Sequence, residues 1–230
     1  MSDPETDRAW LRRFEPVIRY TRGERFFPMD VEPYVRECSL WVQQPEAEPE
    51  CLVPEGELSL ETLAEPRAHG FGAVYFLKFI EPLNIRQLAA YALKERLGHR
   101  SEAFHVGRGR LARVGYSSRF VDALFSLTLF ARGRVPGDAA AAAALTYRRL
   151  MAQDERYCYA GRVVRCDNWV VLQYWIFYPF NNWRSGYFGV NDHEADWEMI
   201  AVYASEPTPG QLLPEWVAYS SHDFAGDDLR

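Results

Sequence analysis

The sequence predicts an α+β protein in which an antiparallel β-sheet or sandwich core carries a helical insertion at about residues 84–155. Aromatic residues make up 15% of the chain, a high share that favours a β-rich core. Segments with period-two alternation lie on both sides of a central run whose apolar residues recur at helical spacing. We therefore expect a single domain over 1–230, with N-terminal strands and loops at 1–83 and a β core at 156–230.

The first 83 residues are predicted to form short strands joined by turns. The segment RECSLWVQQ (36–44) alternates between apolar and polar residues, as a half-buried strand does. Residues 45–57 are rich in Glu and Pro and are predicted to be a loop, because they contain too few apolar residues to pack. The apolar run GAVYFLKFI (72–80) predicts a buried strand.

Three helices are predicted in the central insertion. Asn84 can cap the first, which would end at Gly98. A second is predicted at about 117–133, and a third begins near Asp138 and contains six consecutive Ala. The small side chains of that third helix would let it pack closely against a neighbour.

After the insertion, apolar residues again recur at every second position, as in a strand. Residues 156–167 resemble a hairpin, and three long apolar segments follow at 168–180, 196–204 and 214–222. Asn, Gly and Pro separate these segments, which predicts adjacent strands of an antiparallel sheet.

The cysteines are predicted to be free thiols. The N-terminal sequence has no signal peptide, so we expect a reducing, cytoplasmic location. Cys158 and Cys166 flank the turn of the predicted hairpin, and whether they pair stays open.

Charge and hydropathy disfavour two classes of protein. The net charge is −6, which disfavours a basic nucleic-acid-binding protein. No apolar run approaches the roughly 20 residues that span a bilayer, so no transmembrane segment is predicted.

The segment GVNDHEADWEMIAVY (189–203) carries the candidate site. Asp196 and Glu198 alternate on a strand and should share one face, with His193 folding over that face from the preceding turn. Two neighbouring carboxylates repel each other, and a bound cation would offset this repulsion. If the following strand forms a hairpin with this one, His222 comes near as a fourth ligand.

The predicted site is therefore a divalent cation (calcium, magnesium, manganese or zinc) held by His193, Asp196, Glu198 and His222. Asp192 and Asp223 are candidates for outer positions.

Other interpretations of the same residues stay open. Alternating acids on an antiparallel strand are most often its solvated face. Asp196 and Glu198 could also act as acid and base in a hydrolase. A zinc-protease motif is excluded, because H-E-x-D-W-E lacks the second His of H-E-x-x-H and precedes a strand.

The motif HEADWE (193–198) resembles the heptapeptide GHRHDWE of the necrosis- and ethylene-inducing-peptide-like cytolysins. The wider pattern is similar to the vacuolar-protein-sorting-associated protein 62 family. There a YPFN-type strand, an HxGDWE-type motif and an S-x-H segment occur in this order, as they do here at 178–181, 193–198 and 220–222. The likeness covers about 168–224, with a weaker likeness at 19–35.

The resemblance implies a β-sandwich with a divalent cation at His193, Asp196 and Glu198, close to a docking place for a lipid headgroup. Ala195 stands where the cytolysins have a second His, and their upstream acidic ligand has no clear counterpart. The vacuolar-sorting family continues beyond its S-x-H segment, so we expect this chain to be a shortened member or a fragment. Toxin activity is not carried over.

Three functional hypotheses follow. The preferred one is a non-enzymatic binding domain that holds a cation and binds a polar headgroup at a membrane surface. The second is a metal-dependent hydrolase that uses the same side chains, with a metal-bound water as nucleophile. The third is a structural interaction module without a site.

Overall fold

A computed structural model describes most of the two ends of the chain. The described residues are 3–20, 24–67, 70–81, 83, 84, 86, 87, 89–91, 93, 138–181 and 193–220. The predicted helix at about 117–133 and the helix end at Gly98 lie outside these residues.

Helices occur both before residue 84 and within the predicted insertion at 84–155. Together with the two antiparallel sheets described below, they confirm the α+β class. Their bounds are α1 (Pro4–Arg13), α2 (Val31–Glu37), α3 (Leu60–Ala64) and α4 (Asp138–Gln153), with further helical residues at 86, 87, 89–91 and 93.

The predicted helix starts are confirmed where they are described. The Asn84 Oδ1 accepts from the Gln87 amide at 3.0 Å, which is the N-cap geometry that satisfies a helix end. The helix α4 begins at Asp138, and Ala141 to Ala144 are buried, as expected for a helix that packs closely.

The expectation of strands and turns alone over 1–83 is wrong, because α1, α2 and α3 lie there. The helices α1 and α2 have start signals that this expectation missed. Asp3 accepts from the Glu5 and Thr6 amides with Pro4 at the first turn, and Asp30 accepts from the Glu32 amide.

The first sheet has the antiparallel order β2-β1-β3. Its strands are β1 (Ser39–Gln43), β2 (Glu50–Val53) and β3 (Val74–Lys78). The strands expected within 36–44 and 72–80 are thus confirmed. The loop expected over 45–57 is wrong in part, because β2 pairs with β1 and its Leu52 and Val53 pack against the core.

The second sheet has the antiparallel order β4-β5-β6-β7. Its strands are β4 (Ala160–Cys166), β5 (Trp169–Asn181), β6 (His193–Thr208) and β7 (Gln211–Tyr219). The three long predicted strands are confirmed as neighbours.

The hairpin expected over 156–167 is wrong. Residues 160–166 form the single strand β4, and the turn to β5 lies at Asp167 and Asn168. Cys158 and Cys166 therefore lie at opposite ends of one extended segment, and all four cysteines are free thiols.

Two apolar clusters hold the sheets. One lies where the sheets meet and joins α2 and α4 to both: Tyr34 packs on Phe79, just after β3 of the first sheet, and on Phe177 of the second sheet. The other lies between α1 and the second sheet, where Trp10 packs with Leu172 and Val202. The candidate site lies on β6 beyond this second cluster.

Candidate functional site

The site begins at a break in the pairing of β5 with β6. Tyr178 lies opposite Asp196 and Phe180 lies opposite Glu194, but no pair forms between Pro179 and Ala195. Proline has no amide hydrogen and cannot donate to a neighbouring strand. At the same point Ala195 has a φ of 55°, in the left-handed region. The regular pairing of β6 with β5 is therefore interrupted between His193 and Asp196.

His193 lies in the first position of β6, opposite Asn181, and not in the preceding turn as expected. Its Nε2 is 3.6 Å from the Asp196 Oδ1. The His193 side chain is 45% exposed. The His193 imidazole thus lies beside the Asp196 carboxylate, with Ala195 in its left-handed conformation between them in the chain, and it is still partly exposed to solvent.

Asp196 is the buried member of this pair, with 5% of its surface exposed. The Asn181 amide donates to its Oδ2 at 2.7 Å. A buried carboxylate is costly unless polar groups compensate it, and here both oxygens have a polar neighbour. The side-chain amide comes from Asn181 at the end of β5, and the imidazole comes from His193 at the start of β6. Together they fix the Asp196 carboxylate in position.

Glu198 shares the face of Asp196, as the alternation predicts, because it is two residues further along an unbroken ladder. Burial raises the pKa of the Tyr178 hydroxyl, and the charge of Glu198, two residue pairs away along the ladder, adds to the effect. Among the residues that the structure describes, no three His, Cys, Asp or Glu side chains form a group that could hold a metal ion. The predicted ligands that the structure places next to each other are His193 and Asp196.

The other predicted ligands lie outside the described residues. These are His222, with Asp192 and Asp223 as outer candidates. The four-residue cation site and its hydrolase alternative therefore stay predictions.

Glu194 has a role that the sequence analysis missed. Its Oε2 accepts from the Phe79 amide at 2.7 Å, just after β3 ends, and so ties the second sheet to the first. Burial raises the pKa of this carboxyl, although hydrogen bonds from the Phe79 and Ile80 amides act in the opposite direction. The hydrophobic neighbours Phe79 and Ile80 carry no signal in the sequence that would have identified them as its partners.

Comparison of the chain with protein-family models, curated proteins and solved structures finds no significant match. The resemblances stated above therefore remain predictions that depend on the motifs at 178–181, 193–198 and 220–222. In the parts of the chain that the structure describes, no helix combines the length and the apolar character needed to cross a membrane.

Proposed function

We propose that this protein is a binding domain that holds a divalent cation at His193 and Asp196 and binds a polar, phosphate-bearing headgroup through it. The observation that carries the proposal is the fixed, buried Asp196 carboxylate with the exposed His193 imidazole 3.6 Å away. An imidazole nitrogen and a carboxylate oxygen are both ligands for divalent cations.

A protein that supplies few ligands leaves the other coordination positions to water or to the bound molecule. Magnesium in particular is often held by one or two carboxylates together with the phosphate oxygens of a ligand. A phosphate headgroup would therefore complete the coordination shell that His193 and Asp196 begin.

The surroundings favour a membrane surface as the place of binding. Trp197, next to Asp196 in the chain and therefore on the opposite face of β6, is 41% exposed and packs edge-on against Trp175. Exposed tryptophans are typical of surfaces that enter the boundary between water and lipid.

The first experiment measures melting temperature with a chelator and then with each of the four cations. A cation bound at a concentration 100 times its Kd stabilises the fold by about 2.7 kcal/mol, so a clear upward shift is expected. The shift should vanish in Asp196→Asn. The matched control is Asp167→Asn, which changes an exposed Asp in the β4–β5 turn and should keep the shift.

The second experiment tests the headgroup. Sedimentation with phosphatidylglycerol vesicles should require the stabilising cation and should be lost with chelator or in Asp196→Asn. If no cation raises the melting temperature, or if Asp196→Asn responds as the wild type does, the cation proposal is wrong. Vesicle binding that ignores the chelator would contradict the headgroup proposal alone.

A further inference from the structure

The strand β3 is an outer strand of the first sheet. Among the strands that the structure describes, β3 has a neighbour, β1, on one side only. Alternate amides and carbonyls of a strand point away from its neighbour, so the free side of an outer strand can pair with a further strand.

Apolar side chains are exposed on both faces of β3. Val74 and Phe76 lie on the outer face of the sheet and are 59% and 37% exposed. Tyr75 lies on the inner face, opposite the buried Val42, and is still 36% exposed. A run of three successive exposed apolar residues is typical of a functional surface, because it is costly to leave in water.

The free side of β3 lacks the features that protect an outer strand from pairing. Natural outer strands commonly carry charged residues, prolines or bulges. Residues 71–77 contain no charged residue and no proline, and β3 pairs with β1 over five successive residues without a bulge. The first charged side chain is Lys78 at the end of the strand, and it forms an ion pair with Glu81.

The unprotected stretch has a fixed centre and a closed end. The Phe76 ring stacks on Trp41, with ring centroids 6.5 Å apart and an angle of 18° between the planes. One residue beyond β3, the Phe79 amide already donates to the Glu194 Oε2. A strand that pairs with β3 is therefore confined to Val74–Lys78.

From these observations we infer that β3 pairs with β3 of a second copy of this chain, antiparallel and centred on Phe76. An antiparallel pair of identical strands has a two-fold axis, so the free side of β3 is complementary to itself. This register places Phe76 opposite Phe76 of the second copy and Val74 opposite its Lys78, and it keeps the outer-face residues of both sheets together. The two lysines lie at opposite ends of the pair, so no like charges meet.

The exposed area predicts a weak dimer. The contributing side chains are Val74, Tyr75 and Phe76, together with the fully exposed Phe71 just before the strand. They expose roughly 400 Å² in each copy, or roughly 800 Å² in the pair, whereas a stable interface buries about 1,000 Å² or more. We therefore expect a Kd in the micromolar range and not a permanent dimer. The inference does not depend on the proposed function, because neither His193 nor Asp196 takes part in the pairing.

The test is sedimentation velocity of the full chain alone, at about 1 to 300 μM and with a chelator present so that no cation contributes. A reversible equilibrium between monomer and dimer is expected over this range. A chain that stays monomeric throughout, or one that grows beyond the dimer, would overturn the closed two-fold pairing.

Two variants at the exposed Val74 test the register. In the inferred dimer, Val74→Lys brings a second positive charge opposite Lys78 at both ends, whereas Val74→Glu brings an opposite charge. Val74→Glu should therefore dimerise about fivefold or more tighter than Val74→Lys. The net charge of −6 predicts the reverse order for unspecific association, because the added Glu makes the chain more negative. Equal affinities, or a tighter dimer of Val74→Lys, would show that this pairing is wrong.

A third variant tests the place of the interface. Phe76→Lys puts two like charges next to the two-fold axis and should weaken dimerisation by about tenfold or more. The matched control is Tyr219→Lys on the outer strand β7, where the ring is 56% exposed and the dimer should persist. Melting temperatures measured at the lowest protein concentration check that each variant is folded. A folded Phe76→Lys variant that dimerises as the wild type does would place the interface elsewhere.

Discussion

Two halves of β6 pair with the same strand but differ in their surroundings. From Met199 to Ser205 the residues pair continuously with β5, and from Ile200 onwards most also pair with β7. Val202 and Ala204 of this half pack into the cluster under α1. From His193 to Glu198 only β5 is a partner among the described strands, and the ladder is interrupted at Ala195.

The difference shows how one strand can serve both stability and binding. The half with two neighbours has little room for polar side chains, because its alternate residues are enclosed by α1 and the sheet. The half with one neighbour can hold an exposed imidazole beside a buried, hydrogen-bonded carboxylate. We therefore expect substitutions in the two halves to separate stability from cation binding.

The largest effect is expected from Leu172→Ala on β5, opposite the half of β6 that has two neighbouring strands. Leu172 is fully buried opposite Val202, and removing a side chain of this size from a core costs about 2–5 kcal/mol. Chemical denaturation should show this loss, whereas the cation-induced increase in melting temperature should persist. The matched control is Leu213→Ala on β7, where the side chain is 56% exposed and the cost should be small.

The opposite outcome would be a folded Leu172→Ala variant whose melting temperature no longer rises with a cation that stabilises the wild type. That result would contradict the expectation that stability and cation binding depend on different halves of β6.

The sequence predicts the long strands well, because alternation over nine or more residues leaves few other structures open. It fails at β2, whose four residues depend on pairing with β1 for their conformation. It also fails at Cys158 and Cys166, where local turn signals suggested a hairpin but the partner of β4 is the long strand β5.

The candidate site was predicted in part. The shared face of Asp196 and Glu198 follows from strand periodicity alone. The Asn181 amide that fixes Asp196 was missed, although it belongs to the YPFN segment. Periodicity cannot reveal it, because the contact depends on the register between β5 and β6 and on the interruption opposite Pro179.

A second prediction applies one substitution to both halves of β6. Ala195→Gly should raise the free energy of unfolding by about 0.5–1 kcal/mol, because Gly relieves a left-handed φ of 55° and the relief exceeds the entropy that Gly adds to the unfolded chain. Ala201→Gly should instead lower the free energy of unfolding by about 1 kcal/mol, since Ala201 is buried in the half of β6 that pairs with both β5 and β7. Urea denaturation measures both, and a loss of stability in Ala195→Gly would show that the backbone there is not strained.

The smallest effect concerns pH and the tie between the two sheets. Burial raises the pKa of Glu194 above its ordinary value of 4.5, so the folded protein keeps this proton at pH values where the unfolded chain has lost it. The stability that Glu194 contributes should therefore fall as pH rises from about 4.5 through its raised pKa, because the unfolded state binds fewer protons than the native state in this window. Glu194→Gln keeps an oxygen that can accept from the Phe79 amide but cannot ionise, so this variant should gain stability relative to the wild type between pH 4.5 and 7. Urea denaturation across this range measures the difference, with Glu215→Gln on β7 as the matched control. The difference in free energy of unfolding between wild type and Glu194→Gln could instead stay constant with pH or change in the opposite direction. Either result would show that the Glu194 carboxylate is not destabilised by its position between the sheets. The contrast between a structural Glu194 and a solvent-facing His193 would then have no electrostatic basis.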